Sequence, residues 1–385
     1  MRINKKVEDL APSGIRAFFE LVLNMKDCIS LGVGEPDFVT PWSVRESAIF
    51  SIEKGYTSYT SNKGMYELRR DISRYLENKY DLRYDPDGEI LVTVGVSEAF
   101  DLALRALINP RDKVLIPEPC YVSYAPITAL CGGIPVHIKT GPKNDFKVDP
   151  EDILRCSDKN TRAIILNYPN NPTGASYTKK ELKRIADAAL KKDLYVISDE
   201  IYCELTYDFK HTPLSGLPRM KERTIYLNGF SKAYAMTGWR IGYACGPGKV
   251  IAAMTKIHQY TMLCAPIVSQ LAAREAIKSA DRPAQEMKRE YRRRREFLVG
   301  SLNEMGMACH MPEGAFYTFP SIKKVTKLGS VEFAKKLLKQ QKVAVVPGCA
   351  FGLSGEGYVR MAYAANFEDI KEAVIRIKKF LTRNR

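Results

Sequence analysis

Between residues 89 and 245 the chain alternates short runs of β-branched and apolar residues with longer stretches of helical periodicity. The runs 89–94, 113–116, 134–138, 162–166, 194–198, 224–227 and 241–245 predict strands. Each is a near-continuous apolar run, the pattern of a strand buried on both faces. Helical patterns fall between several of them, notably at 97–107 and 178–190. Alternation of this kind predicts an α/β fold, a mostly parallel seven-stranded sheet covered by helices on both faces, with ligands beyond the carboxyl ends of the strands. From about residue 250 the pattern changes to long helices that continue to roughly 304. A mixed segment follows, with Gly314-Ala315-Phe316-Tyr317 and the runs 343–347 and 358–362, and the chain closes on an amphipathic pattern near 367–381. This shift predicts a second, smaller α+β domain.

Composition narrows the class. The chain has 385 residues, 45% hydrophobic and 27% charged, as expected of a soluble globular protein with room for two domains. No stretch approaches the ~20 uncharged apolar residues of a membrane span, and Met1-Arg2-Ile3-Asn4-Lys5-Lys6 is not followed by an apolar signal core. A cytoplasmic location, with no membrane partner, is the expectation. Nine cysteines are scattered without a C-x-x-C pair, and His137, His211, His258 and His310 lie far apart. Reduced thiols and no metal site are expected. The net charge of +15 is densest at Lys288-Arg289-Glu290-Tyr291-Arg292-Arg293-Arg294-Arg295-Glu296. With its interspersed glutamates this run reads as a solvated helix face, not a nucleic-acid patch.

Four loops directly after predicted strands carry candidate chemistry. Gly95-Val96-Ser97-Glu98-Ala99 opens a helix, and a glycine-started helix N-terminus is a ready phosphate site; an N-cap by Ser97 explains the same residues structurally. It is neither G-x-G-x-x-G nor a Walker loop, so a dinucleotide or ATP reading lacks its fingerprint. Asn167-Tyr168-Pro169-Asn170-Asn171-Pro172-Thr173-Gly174 is a rigid loop whose asparagines could donate to a ligand oxygen. Asp199, in Asp199-Glu200-Ile201-Tyr202, is an acid at the end of a buried strand and demands a cationic partner, either a ligand or a structural salt bridge. Lys232 follows Asn228-Gly229-Phe230-Ser231 in a small-residue loop of low charge, eight residues before Arg240.

Asn171-Pro172-Thr173-Gly174, Ser198-Asp199-Glu200-Ile201-Tyr202 and Ser231-Lys232, together with Leu31-Gly32-Val33-Gly34-Glu35-Pro36-Asp37-Phe38 and Met236-Thr237-Gly238-Trp239-Arg240-Ile241-Gly242, resemble the class I aminotransferases of pyridoxal-5'-phosphate (PLP) fold type I. Order and spacing match the family's, and the similarity runs from about Ala11 to the C-terminus. The nearest branch holds microbial aspartate, aromatic amino acid and N-acetyl-diaminopimelate aminotransferases. The resemblance implies an N-terminal segment 1–45 packing with the small domain, a large PLP-binding domain 46–283 and a small C-terminal domain 284–385. It makes Lys232 the lysine that holds the cofactor as an imine and then shuttles a proton, its pKa depressed by neighbouring cations. Asp199 is the carboxylate that pairs with the pyridine nitrogen, and Tyr202 and Asn171 are the groups that hydrogen-bond the phenolic oxygen. Arg240 holds the phosphate with the helix N-terminus at Val96 and Ser97, and Tyr121 stacks on the ring. Tyr59 reaches the phosphate of a neighbouring subunit's cofactor, which implies a homodimer. Arg360, in Tyr358-Val359-Arg360-Met361, clamps the substrate carboxylate, and Gly34 leaves room for the substrate where the N-terminal segment crosses it. The chain departs from the family at Gly229, where a hydroxyl residue is frequent and Ser231 stands as its substitute, and in carrying tyrosine as the stacking ring.

The implied reaction is a ping-pong transfer of an amino group from an L-amino acid, aspartate, aromatic or related, to a 2-oxo acid such as 2-oxoglutarate. The same fold hosts C–S lyases by β-elimination, and also PLP-binding regulators. A regulator would carry a separate DNA-binding domain, for which the pattern leaves no room.

Overall fold

A computed structural model describes residues 2–10, 25 and 27–383. The seven predicted runs are seven strands of one sheet: β1 Ile90–Thr93, β2 Lys113–Glu118, β3 Ile134–Lys139, β4 Thr161–Asn167, β5 Tyr195–Asp199, β6 Thr224–Gly229 and β7 Gly242–Cys245. Their order across the sheet is β1-β7-β6-β5-β4-β2-β3. β7 runs antiparallel to both neighbours, and the other pairs are parallel.

The runs read as continuously apolar because successive side chains enter different cores. Ala163 and Ile165 of β4 join the core beneath helices Gly95–Leu107 and Gly248–Thr261. Ile164 and Leu166 join the core beneath helix Lys179–Lys191. Two of the predicted helix starts move slightly. The first helix begins at Gly95, not Ser97, because a φ of +77° at Gly95 allows the chain to turn into the helix two residues earlier. The second begins at Lys179, capped by Thr178 in a reciprocal box with Glu181.

The C-terminal part gathers a separate core around Tyr291, Phe316, Tyr317, Phe333, Val343 and Phe380, and Leu31 packs into it. Ile29–Ser30 pairs in parallel with Val343–Ala344. Val346–Pro347, Val359–Ala362 and Tyr317–Thr318 form an antiparallel three-stranded sheet with Val359–Ala362 in the centre. Helix Asp281–Glu304 runs unbroken past residues 283 and 284; Ala284 packs on the sheet side, and Met287, Leu298 and Leu302 pack in the C-terminal core. Residues 11–24 of the expected N-terminal segment, including Ala11, lie outside the described residues.

The basic run on this helix corrects its sequence reading. Arg289, Arg292, Arg293 and Glu296 are solvated, but Arg294 and Arg295 are buried. Arg294 pairs with Asp37 at 2.7 Å and Glu290 at 2.8 Å; Arg295 pairs with Asp208 at 2.7 Å and donates to the Pro312 carbonyl. Helical periodicity places two of the five arginines on the inner face, where pairing removes the cost of an isolated charge.

Candidate active site

The carboxyl ends of β4, β5 and β6 and the segments 31–37 and 358–362 converge on Lys232. Its side chain lies against the faces of Tyr202 and Phe316, 5.9 and 5.8 Å from the ring centroids, and its Nζ donates to the Gly34 carbonyl at 2.8 Å. Burial pushes this amine down to about 8, Glu35 opposes the shift, and Arg360 and Arg240 add to it. Neighbouring cations depress the amine as expected, but desolvation is the larger cause, because an ammonium ion loses most of its hydration in this apolar setting. A Cβ on Gly34 would stand 2.7 Å from the Tyr317 hydroxyl oxygen, so a side chain there would have to displace that ring.

Asp199 is the last residue of β5 and is 6% exposed. Burial raises its carboxyl to about 6, against hydrogen bonds that favour the ionised form. The Tyr124 hydroxyl donates to Oδ2 at 2.7 Å and the Ile201 N–H to Oδ1 at 3.2 Å. Among the described residues it has no salt-bridge partner, so the structural ion pair weighed in the sequence is absent and the demand for a cation remains. Tyr124 is a residue the sequence did not mark. It begins the short helix Tyr124–Leu130, edge-on to the half-buried ring of Tyr121, with centroids 5.6 Å apart.

At the start of helix Gly95–Leu107 the backbone is crowded on three sides. A Cβ on Gly95 would meet Arg240 Nη2 at 2.7 Å, and one on Gly242 would meet the Val96 nitrogen at 2.8 Å. The Arg240 guanidinium therefore lies against the helix N-terminus, so two positive features share one spot beside Val96 and Ser97. Ser97 is exposed in the first turn and is not the N-cap, which is Val94. Gly229 faces Gly242 across β6 and β7, and a Cβ on it would stand 2.9 Å from the Gly242 Cα and 3.0 Å from the Ile241 carbonyl oxygen. That contact explains the missing hydroxyl: no side chain fits. Ser231 is buried two residues on.

Arg360 occupies the middle strand of the small sheet and is 3% exposed. It donates to Asn171 Oδ1 at 2.9 Å and the Gly32 carbonyl at 2.6 Å, and it lies over Tyr317 and Phe351 at 4.4 and 4.9 Å from their centroids. Its Nε is buried without a partner, and no carboxylate pairs with it among the described residues. Asn171 is held by its own N–H on Asn167 Oδ1 at 2.9 Å. Tyr202 and Tyr317 share a hydroxyl–hydroxyl hydrogen bond of 2.9 Å. Tyr317 is a second residue whose place in the site the sequence did not reveal. Tyr59 stands apart from the rest, 84% exposed on the same protomer's surface.

The family model for "Aminotransferase class I and II" matches residues 26–377. This chain is a class I/II aminotransferase. It is 54% identical over 97% of both chains to the Bacillus subtilis protein named "Putative aminotransferase YugH". It is 44% identical to an aspartate aminotransferase of Pyrococcus abyssi, over 99% of this chain and 98% of that one. Among solved structures, a Thermus thermophilus aspartate aminotransferase superposes with a TM-score of 0.94 at 36% identity, covering 98% of this chain and all of the other.

Class I/II aminotransferases use pyridoxal phosphate, and the residues of this aminotransferase fit that group. Asp199 is a buried acid lacking a cation, Lys232 is a buried amine of depressed basicity, and Arg240 adjoins a helix N-terminus. A ring nitrogen bearing a proton, an aldehyde and a phosphate are the complements of those three features.

Proposed function

We propose that this aminotransferase moves the amino group of an L-amino acid, aspartate, aromatic or related, to a 2-oxo acid such as 2-oxoglutarate, in two half-reactions that share one site. Arg360 carries the reading: a fully desolvated guanidinium with an unpartnered Nε suits a small carboxylate, the one group all these substrates share. When bound, the cofactor supplies an aldehyde that accepts the amino group and a ring that withdraws electrons from the substrate's α-carbon.

Each residue then has a task. Asp199, kept ionised by Tyr124, holds the proton on the ring nitrogen. Arg240, with the N–H groups of Val96 and Ser97, binds the phosphate, and Ser231 lies at the same end. Tyr121 covers the ring, and Tyr202 and Asn171 donate to its phenolic oxygen. Arg360 and Asn171 orient the substrate over Gly34. Lys232 in its neutral form would take the proton from the substrate's α-carbon and deliver it to the cofactor's former aldehyde carbon, the reverse transfer serving the second half-reaction, a role that suits an amine titrating at about 8.

Tyr59 has no partner within its own site, which supports a homodimer in which it reaches the partner's phosphate. Exposed Trp42, Phe50, Tyr56 and Tyr260 supply an apolar surface for that contact. Nine free cysteines suit a reducing cytoplasm.

The test is a panel of amino donors with 2-oxoglutarate as acceptor, ranked by kcat/KM. Turnover must require the acceptor. Release of an oxo acid and ammonia without one would replace the proposal with β-elimination.

A further inference from the structure

A buried pair outside the groups assigned so far joins the phosphate turn to a neighbouring helix. Glu98 lies in the first turn of helix Gly95–Leu107, where its Oε2 accepts the Val94 N–H at 2.6 Å and its Oε1 meets His258 Nδ1 at 2.6 Å. The His258 side chain is 0% exposed and its Nε2 is buried without a hydrogen-bond partner. Among the described residues the ring's one polar contact is therefore Glu98, so this imidazole serves the carboxylate. The His258 carbonyl accepts the N–H groups of Met262 and Leu263 at 2.8 and 3.0 Å, which fixes the histidine's backbone independently of its side chain.

A carboxylate in a first turn is drawn toward the free N–H groups there. In this helix those N–H groups have another task, since the phosphate assigned to Val96, Ser97 and Arg240 carries the same charge sign as Glu98. Two bonds hold Glu98 back, one from Val94 and one from His258. Without the imidazole the carboxylate is left short of a donor in a buried setting, a penalty that turning toward the first-turn N–H groups relieves. It would then compete with the phosphate.

We propose that His258 is a positioning residue for the cofactor phosphate, which it serves by restraining the Glu98 carboxylate on the Val94 N–H. The inference rests on the phosphate assignment made above. The experiment measures dissociation constants of the apoenzyme for PLP and for pyridoxal, which lacks the phosphate. His258→Leu weakens PLP by about tenfold, the equivalent of one charged hydrogen bond, and changes pyridoxal by less than about twofold. His258→Asn, whose amide nitrogen can stand near the Nδ1 position, recovers most of the loss. Glu98→Gln, in the otherwise unchanged protein, binds PLP at least as tightly as wild type, and this arm stands even if His258→Leu does not fold. Equal weakening of both ligands in His258→Leu, or a PLP loss in Glu98→Gln, overturns the proposal. Arg240→Leu serves as the reference: if it leaves the preference for PLP over pyridoxal intact, the phosphate assignment fails and the His258 inference falls with it.

Discussion

Tyr124→Phe deletes one hydroxyl and leaves a ring of the same shape between Phe100 and Tyr121. The lost hydrogen bond, 2.7 Å to Asp199 Oδ2, favours the ionised carboxylate. A hydrogen bond to a charged group is worth about 1.5–3 kcal/mol, which raises the carboxyl by roughly one to two pH units. Starting from about 6, Asp199 of the variant then titrates at about 7 to 8. The cofactor's ring cation needs the ionised carboxylate, so affinity is complete above the carboxyl's pKa and declines as pH falls through it. The assay is PLP binding to apoenzyme from acid to alkaline pH, expressed as the ratio of the two proteins' dissociation constants, in which the cofactor's own ionisations cancel. The ratio is near one at alkaline pH and rises by roughly ten- to a hundredfold at acid pH. A ratio that stays flat across the range refutes the claim that Tyr124 keeps Asp199 ionised.

Three further outcomes follow from the same geometry. Arg360→Lys replaces a planar fork by a point charge and raises KM for both amino acid and oxo acid by about ten- to a hundredfold, measured in each half-reaction separately; an unchanged KM removes Arg360 from the substrate. Gly352→Ala forces a Cβ to within 2.4 Å of the Glu118 carboxyl carbon at a φ of +113°, so denaturant unfolding shows a loss of about 2 kcal/mol or more, whereas an unaltered midpoint would mean that the loop relaxes freely. Tyr59→Ala removes an exposed side chain and leaves thermal stability within about 0.5 kcal/mol while weakening PLP; full cofactor affinity in a dimeric variant would retire the cross-subunit role.

Much of the sheet was legible because strands buried on both faces leave an unmistakable apolar run, as in β4, and because the site's loops start where those runs stop. The contacts that tune the site were not. Tyr124 and Asp199 lie 75 residues apart and Glu98 and His258 lie 160 apart, with no local pattern to link them. Ser97 looked like a cap because its type suits one, but the left-handed Gly95 starts the helix before it. Arg294 and Arg295 looked solvated because charge is a poor guide to burial when Asp37 and Asp208 arrive from elsewhere in the chain. The larger cause of the Lys232 shift was illegible for the same reason: desolvation depends on how closely Tyr202 and Phe316 pack, which spacing does not record.

The bond from Arg360 to the Gly32 carbonyl spans 328 residues, and the strand Ile29–Ser30 depends on Val343–Ala344 in the same way. During synthesis the N-terminal strand is therefore made long before its partner exists. At about 5–20 residues per second the wait is roughly 15–65 s. The sheet's own helices and strands can assemble in that interval, whereas the carboxylate clamp can close only when the last few dozen residues leave the ribosome. Premature termination before Arg360 thus yields a chain with no grip on substrate, and termination before Val343 also leaves an unpaired strand edge near the N-terminus, a template for pairing with other chains.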